Sequence, residues 1–415
     1  MTCDPSADET GSPMSGCIPL AVWQYGLVTS IFAIGGLFGA LASAPLGNRY
    51  GRKKTLLLNT TGFILGGLLK ALSSGATTLA LGRFISGLSA GAAAVVVPLY
   101  VNEIAPPEQR GQFGAVTQVS INLGIVTTQV LGLFMSRLFW WRIILFVGAG
   151  IGTLQAVLLL KCPESPKYLI SIGDKAGARE AAARLRGENH NGMGRIEDEI
   201  REEEEEPLHS DTTPLSPTNE EPTKVTMGTF LTAPAHRKSA LIVCGLMLAQ
   251  QLSGINAVIF HGVSVLSKLL PNWAGALNVL ISASNLFITI AASTLFDKVS
   301  HKTLLLVSML GMAASSFAFA IGLNWSIAAL SAVGCFMFVS CFSIGLGPLP
   351  WMVAGRVVRY EAQDAAQASG LVVNWMGTFL VTFVVPLVPK VFAFTAFGVI
   401  GTLSALLVSW GVEAY

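Results

Sequence analysis

Residues 239–263 read SALIVCGLMLAQQLSGINAVIFHGV, a run with no formally charged side chain. A helix rises about 1.5 Å per residue, so roughly 20 mainly apolar residues cross the hydrocarbon core of a bilayer. This run is long enough, yet Gln250, Gln251, Ser253 and Asn256 crowd its middle. Polar groups facing hydrocarbon are costly unless paired, so the segment must turn toward other protein or toward water. Working outward, comparable apolar runs occupy 22–46, 55–76, 77–101, 113–136 and 141–160 before it, and 273–297, 303–322, 327–353, 366–388 and 391–411 after it. Eleven such runs predict an all-α membrane protein. The whole chain agrees, since its 415 residues are 52% hydrophobic and 12% charged, against about 25% charged in an ordinary soluble domain.

The runs fall into two groups. An exoplasmic tail (1–21) precedes a bundle of five helices (22–160), a cytoplasmic linker (161–238) follows, and a bundle of six (239–411) closes the chain. Within the linker, 174–206 is rich in Ala, Arg and Glu and suits short amphipathic helices. About 202–224, from the Glu202–Glu206 run through a Pro, Ser and Thr-rich stretch, has the composition of disorder. In the short loops, Arg49, Arg52, Lys53, Lys54, Arg110, Lys298, Lys302, Arg356 and Arg359 lie on one side, against Arg137, Arg142, Lys268 and Lys390 on the other. The positive side is cytoplasmic, which places the N-terminus outside and, with an odd number of crossings, the C-terminus inside. Lys70 and Arg83 fall within runs and must snorkel or face protein or water.

Function classes narrow quickly. A net charge of +2, from 26 basic and 24 acidic residues, gives no electrostatic footprint for nucleic acid. The six cysteines show no metal-ligand spacing, and no cofactor is implied. Cys3 and Cys17 share the oxidising side, where a bridge and two free thiols are both open. The GLSAG at 87–91 matches a nucleophile elbow in letters, but it sits inside an apolar helix and reads as close packing, like the Gly35 and Gly39 pair. The chain is not read as an enzyme. Its informative feature is a set of uncharged amides within apolar helices: Gln118, Gln250, Gln251, Asn256, Asn285 and Asn374. Each amide both donates and accepts. Interhelical hydrogen bonding would explain any one of them. Six together with Trp351 and Trp375 favour a wet cavity for a neutral hydroxylated ligand, with the aromatic faces covering its C–H side. No Asp or Glu lies in the middle of any run, and a buried carboxylate is the usual proton carrier of coupled transporters.

The motifs, in order, resemble those of the sugar porters of the major facilitator superfamily. They are Arg49-Tyr50-Gly51-Arg52-Lys53, Gly82-Arg83-Phe84, Pro98-Leu99-Tyr100, Glu103-Ile104-Ala105-Pro106, Arg110-Gly111, Pro163-Glu164-Ser165-Pro166, Gln250 to Asn256, and Gly347-Pro348-Leu349-Pro350-Trp351. The resemblance covers nearly the whole chain. It implies two six-helix halves, with the eleven runs here matching the second to the twelfth helix and the first missing. It implies a small-molecule sugar held by Gln118, Gln250, Gln251, Asn256, Asn285, Trp351, Asn374 and Trp375. It also implies a cytoplasmic latch between the halves, to which Arg49, Arg52, Arg83, Glu103 and Arg110 belong. In the second half the pattern departs: Arg356 replaces a glutamate, leaving Asp297 with Arg356 as a charge-swapped pair. The expected function is facilitative transport of a hexose or similar polyol through the bilayer by alternating access. The alternative is a non-transporting relative, either a nutrient sensor or a truncated product.

Overall fold

The computed structural model describes residue 18 and residues 20–105, 110–135, 140–186, 225–267, 270–293, 298–358 and 362–411. Cys3, Cys17, Asp297 and the 202–224 stretch lie outside these residues, as do the side chains of Arg110, Gln118 and Arg356. The first half holds α1 (Val22–Tyr50), α2 (Arg52–Ala71), α3 (Ala76–Ile104), α4 (Arg110–Met135) and α5 (Trp141–Lys161). Two short helices, α6 (Pro166–Ser171) and α7 (Lys175–Arg186), follow α5, and α8 (Met227–Thr232) leads into the second half. That half is α9 (Arg237–Leu252), α10 (Ile255–Leu266), α11 (Ala274–Ser293), α12 (His301–Asn324), α13 (Ala328–Ile344), α14 (Leu349–Arg356), α15 (Gln363–Val384) and α16 (Lys390–Gly411).

Among the described residues, nine spans are long and apolar enough to cross a membrane. The other two expected runs are helical but less apolar. Helix α2 carries Arg52, Lys53, Lys54 and, in its last turn, Lys70. In α4 the apolar part is Val119–Met135. Two runs read as continuous are in fact broken. Residues 239–263 divide into α9 and α10 at Ser253 and Gly254, where Gly254 takes a left-handed φ of 93°. A side chain there would be strained and would also strike Phe397. Residues 327–353 divide at 345–348 into α13 and α14, because Pro348 and Pro350 withhold two backbone N–H groups from the helical ladder.

The two halves are packed by different means. In the second, a large apolar core around Met309, Met312, Phe319, Phe338, Leu346, Leu349 and Phe394 ties α9 to α16 together. The first half relies more on small residues. A methyl group on Gly35 or Gly39 of α1 would strike the backbone at Phe84 or Leu88, and one on Gly87 or Gly91 of α3 would strike Phe32 or Gly36. The two backbones therefore meet directly, which maximises dispersion contact where lipid offers no hydrophobic drive. Ser89, the serine of the GLSAG stretch, is buried with its hydroxyl against Gly62 of α2. Helices α1 with α15, and α4 with α11, join the halves along two seams.

Candidate substrate-binding site

The break between α9 and α10 lays out the polar side chains. Gln250 and Gln251 end the last turn of α9, and Asn256 opens α10. Gln250 is buried, and its Nε2 donates to the carbonyls of Leu346 at 2.7 Å and Gly347 at 2.9 Å. Those carbonyls belong to the second break. In an uninterrupted helix the Leu346 carbonyl would accept from residue 350, which is proline and has no proton to give. The Gln250 amide stands in for that missing donor. Its Oε1 accepts from Asn374 Nδ2 at 2.7 Å, so both ends of the amide are used within the protein. Gln251 Oε1 accepts from Asn256 Nδ2 at 2.5 Å, and the same Nδ2 donates to Thr378 Oγ1 at 3.1 Å. Thr378 in turn donates to the Asn374 carbonyl at 2.9 Å.

Four of the expected residues, Gln250, Gln251, Asn256 and Asn374, thus form one connected cluster with Thr378. Asn285 lies in a separate group, where its Oδ1 accepts from Ser343 Oγ at 2.7 Å and from Thr289 Oγ1 at 3.2 Å. Trp375 projects toward the first half: its ring lies on Gly36 and meets Phe32 edge-on at 6.1 Å, while its buried Nε1 has no protein acceptor. Half-buried Trp351 packs on the apolar cluster of Phe230, Val243 and Met247 in the second half. Thr378, Thr289 and Ser343 were not anticipated. Two of the three had a signal, because Asn374 with Thr378 and Asn285 with Thr289 share an N-x-x-x-T spacing that puts both polar groups on one helix face.

Where α2 begins and α3 ends, Arg52 forms an ion pair with Glu103, its Nη2 at 2.9 Å and its Nε at 3.0 Å from the carboxylate. Its Nη1 donates to the Gly47 carbonyl at 3.1 Å. The Glu164 carboxylate was overlooked as a site residue. It accepts the Lys53 backbone N–H at 2.9 Å, satisfying an otherwise orphaned donor at the start of α2. Gly51, with φ 91°, makes room for it. Arg49 is exposed, with its guanidinium over the Tyr50 ring and its carbonyl accepting from Tyr168 Oη at 3.2 Å.

The partners of Arg52, Glu103 and Arg83 lie within the first half. The Arg52–Glu103 pair joins α2 to α3. Arg83 is not part of it. Its Nη2 donates to the Thr29 carbonyl at 3.1 Å and its guanidinium lies over Phe32. Thr29 and the Gly47 that Arg52 touches are about 27 Å apart along α1 at the helical rise, so Arg83 lies toward the opposite end of the bundle from the Arg52–Glu103 pair. Nearby, Tyr25 Oη lies 3.4 Å from His261 Nδ1, and His261 Nε2 lies 3.3 Å from the Thr382 carbonyl.

The chain is similar to known proteins in sequence and in fold. The family described as sugar (and other) transporters matches residues 4–413. A probable metabolite transport protein of Saccharomyces cerevisiae is 36% identical over 98% of this chain and 83% of its own. Vacuolar protein sorting-associated protein 73 of the same yeast is 32% identical over 94% and 81%. The facilitated glucose transporter member 2 of solute carrier family 2 from Sus scrofa is 31% identical over 90% and 70%. In three dimensions the chain is similar to the xylose transporter XylE of E. coli in a partially occluded inward-open conformation. The TM-score is 0.78 at 20% identity, covering 95% of this chain and 89% of that one. From its ordered motifs, its two packed halves and these relatives, the chain is an integral, multi-pass membrane transporter belonging to the sugar porter family of the major facilitator superfamily.

Proposed function

We propose that this transporter carries a hexose or a closely similar polyol down its gradient by alternating access. The carrying observation is the polar cluster of Gln250, Gln251, Asn256, Asn374 and Thr378, assembled at two helix breaks in an otherwise apolar bundle. Amides and hydroxyls suit a neutral ligand that is itself both donor and acceptor, and they hold no fixed charge to attract an ion. Gln251 and Asn256 satisfy one another, and a sugar hydroxyl can replace either partner without stranding the other. The Gln118, Asn285, Trp351 and Trp375 side chains complete the proposed site. The sequence carries no mid-span carboxylate, which supports uniport over proton coupling. Relatives named for glucose and xylose transport support the substrate class.

Transport then needs no chemistry on the sugar. The α1–α15 and α4–α11 seams allow the halves to rock about the cluster, opening it to one side and then the other. The test is uptake of tritiated hexoses, pentoses and polyols into proteoliposomes holding the purified chain, with and without an imposed pH gradient. The reading expects saturable hexose flux that the gradient leaves unchanged. Specific binding without flux would favour the sensor reading, and flux that requires the gradient would refute uniport.

A further inference from the structure

Helices α4 and α11 run antiparallel across one seam, and polar pairs recur along it. Asn122 Nδ2 donates to Thr289 Oγ1 at 3.2 Å, and Ser282 Oγ donates to Gln129 Oε1 at 2.7 Å. On each helix the two positions are seven residues apart, close to two turns, so both rungs lie on one face. The second rung stops there. The first continues, because Thr289 Oγ1 lies 3.2 Å from Asn285 Oδ1, and Ser343 Oγ of α13 donates to that same oxygen at 2.7 Å. All four residues are buried. A single relay therefore runs from the first half into the second and ends on Asn285.

We infer that Asn122 is a positioning residue for substrate recognition. It orients the Thr289 hydroxyl, which together with Ser343 occupies the Asn285 carbonyl oxygen and leaves the Asn285 NH2 to donate to a sugar oxygen. The inference rests on the sugar-carrier reading above. The direction follows from proton counting. A hydroxyl has one proton and two lone pairs. Accepting from Asn122 uses a lone pair of Thr289 and aims its proton at Asn285. The Ser343 proton cannot do this alone, since it is shared with the Val339 carbonyl at 2.8 Å. Without Asn122, Thr289 is free to turn to a backbone carbonyl, and the Asn285 amide is free to flip and present oxygen instead of NH2. Because Asn122 sits in one half and its partners in the other, rocking that parts α4 from α11 also loosens the grip at Asn285.

The experiment uses the purified full chain in proteoliposomes, with D-glucose and a series of monodeoxyglucoses as probes. Asn122→Leu should raise the Kd for D-glucose about tenfold, the scale of one lost buried hydrogen bond, while maximal exchange stays within about twofold. Thr289→Val should do the same, the double variant should be no worse than either single, and Thr289→Ser, which keeps the hydroxyl, should restore affinity. One deoxyglucose, lacking the oxygen that Asn285 holds, should lose all sensitivity to Asn122→Leu. A purely structural role would instead affect every analogue alike. If Asn122→Leu does not fold, the Val and Ser variants of Thr289 decide the matter in its place. Unchanged affinity, or effects of the two substitutions that multiply, would overturn the inference and leave the carrier reading intact. Absence of D-glucose exchange in the unmodified chain would overturn both.

Discussion

Replacing Gln250 by alanine removes three hydrogen bonds that join α9 to the 345–348 break and to α15: those to Leu346, Gly347 and Asn374. Two groups are then stranded in a dry interior, the Leu346 carbonyl opposite Pro350 and the Asn374 amide. Stranded polar groups cost about 1–3 kcal/mol each, which puts the loss at about 2–6 kcal/mol. Interhelical hydrogen bonds in membranes average nearer 0.6 kcal/mol because alternative partners are found. That argues for the low end, about 2 kcal/mol. For a bundle of this size each kcal/mol moves the melting point by about 2–4 °C, so Gln250→Ala should melt about 4–8 °C lower. Thermal scanning of tryptophan fluorescence in detergent reads this directly. An unchanged melting point together with lost sugar binding would refute the reasoning, and would make Gln250 a direct ligand and not a brace for the break between α13 and α14.

Gln251→Ala should behave in the opposite way, melting within about 2 °C of the parent while sugar affinity falls, since a lost buried hydrogen bond costs about 1–3 kcal/mol; affinity unchanged within error would remove Gln251 from the site. Glu103→Gln leaves the Arg52 guanidinium without its counter-charge, in a pair whose side chains are only 12% and 7% exposed. Breaking such a pair costs about 3–5 kcal/mol when fully buried; with partial solvent screening we expect about 2–3 kcal/mol, read as reduced monodisperse protein on size exclusion, with the swap Arg52→Glu and Glu103→Arg recovering part of it. Gly91→Val should abolish the folded first half, because its branched side chain meets the Gly36 backbone across the crossing of α1 and α3. Normal yield and melting would show that the two helices do not touch there.

Membrane architecture was legible because long apolar runs between charged loops leave few alternatives. The two helix breaks were not, since Gly254, Pro348 and Pro350 are too few to lower the hydropathy of their runs. The set of amides was visible in the sequence, yet which amide meets which depends on packing. That is why Asn285 separates from the cluster around Gln250, and why Gln250 turns out to serve the backbone of another helix. Serines and threonines are common in apolar helices and drew no notice, although Thr289 and Thr378 complete both networks. Arg83 was misplaced for a different reason. Motif order gives position along the chain, while depth comes from counting: Arg83 is the eighth residue of a helix that begins at Ala76, and Glu103 lies at its other end. Arg52 and Glu103 were anticipated as members of a latch, and their pairing with each other became evident only when α2 and α3 were seen to pack together.

The central claim, a single sugar site exposed alternately to the two sides, is tested most directly by counterflow. Proteoliposomes bearing the full chain are loaded with unlabelled D-glucose and diluted into a trace of labelled D-glucose. One site shared by both directions predicts a transient accumulation of label above its equilibrium level, followed by decay as the internal sugar drains. A monotonic approach to equilibrium with no overshoot would describe a channel, and no uptake of label above empty liposomes would contradict sugar transport altogether.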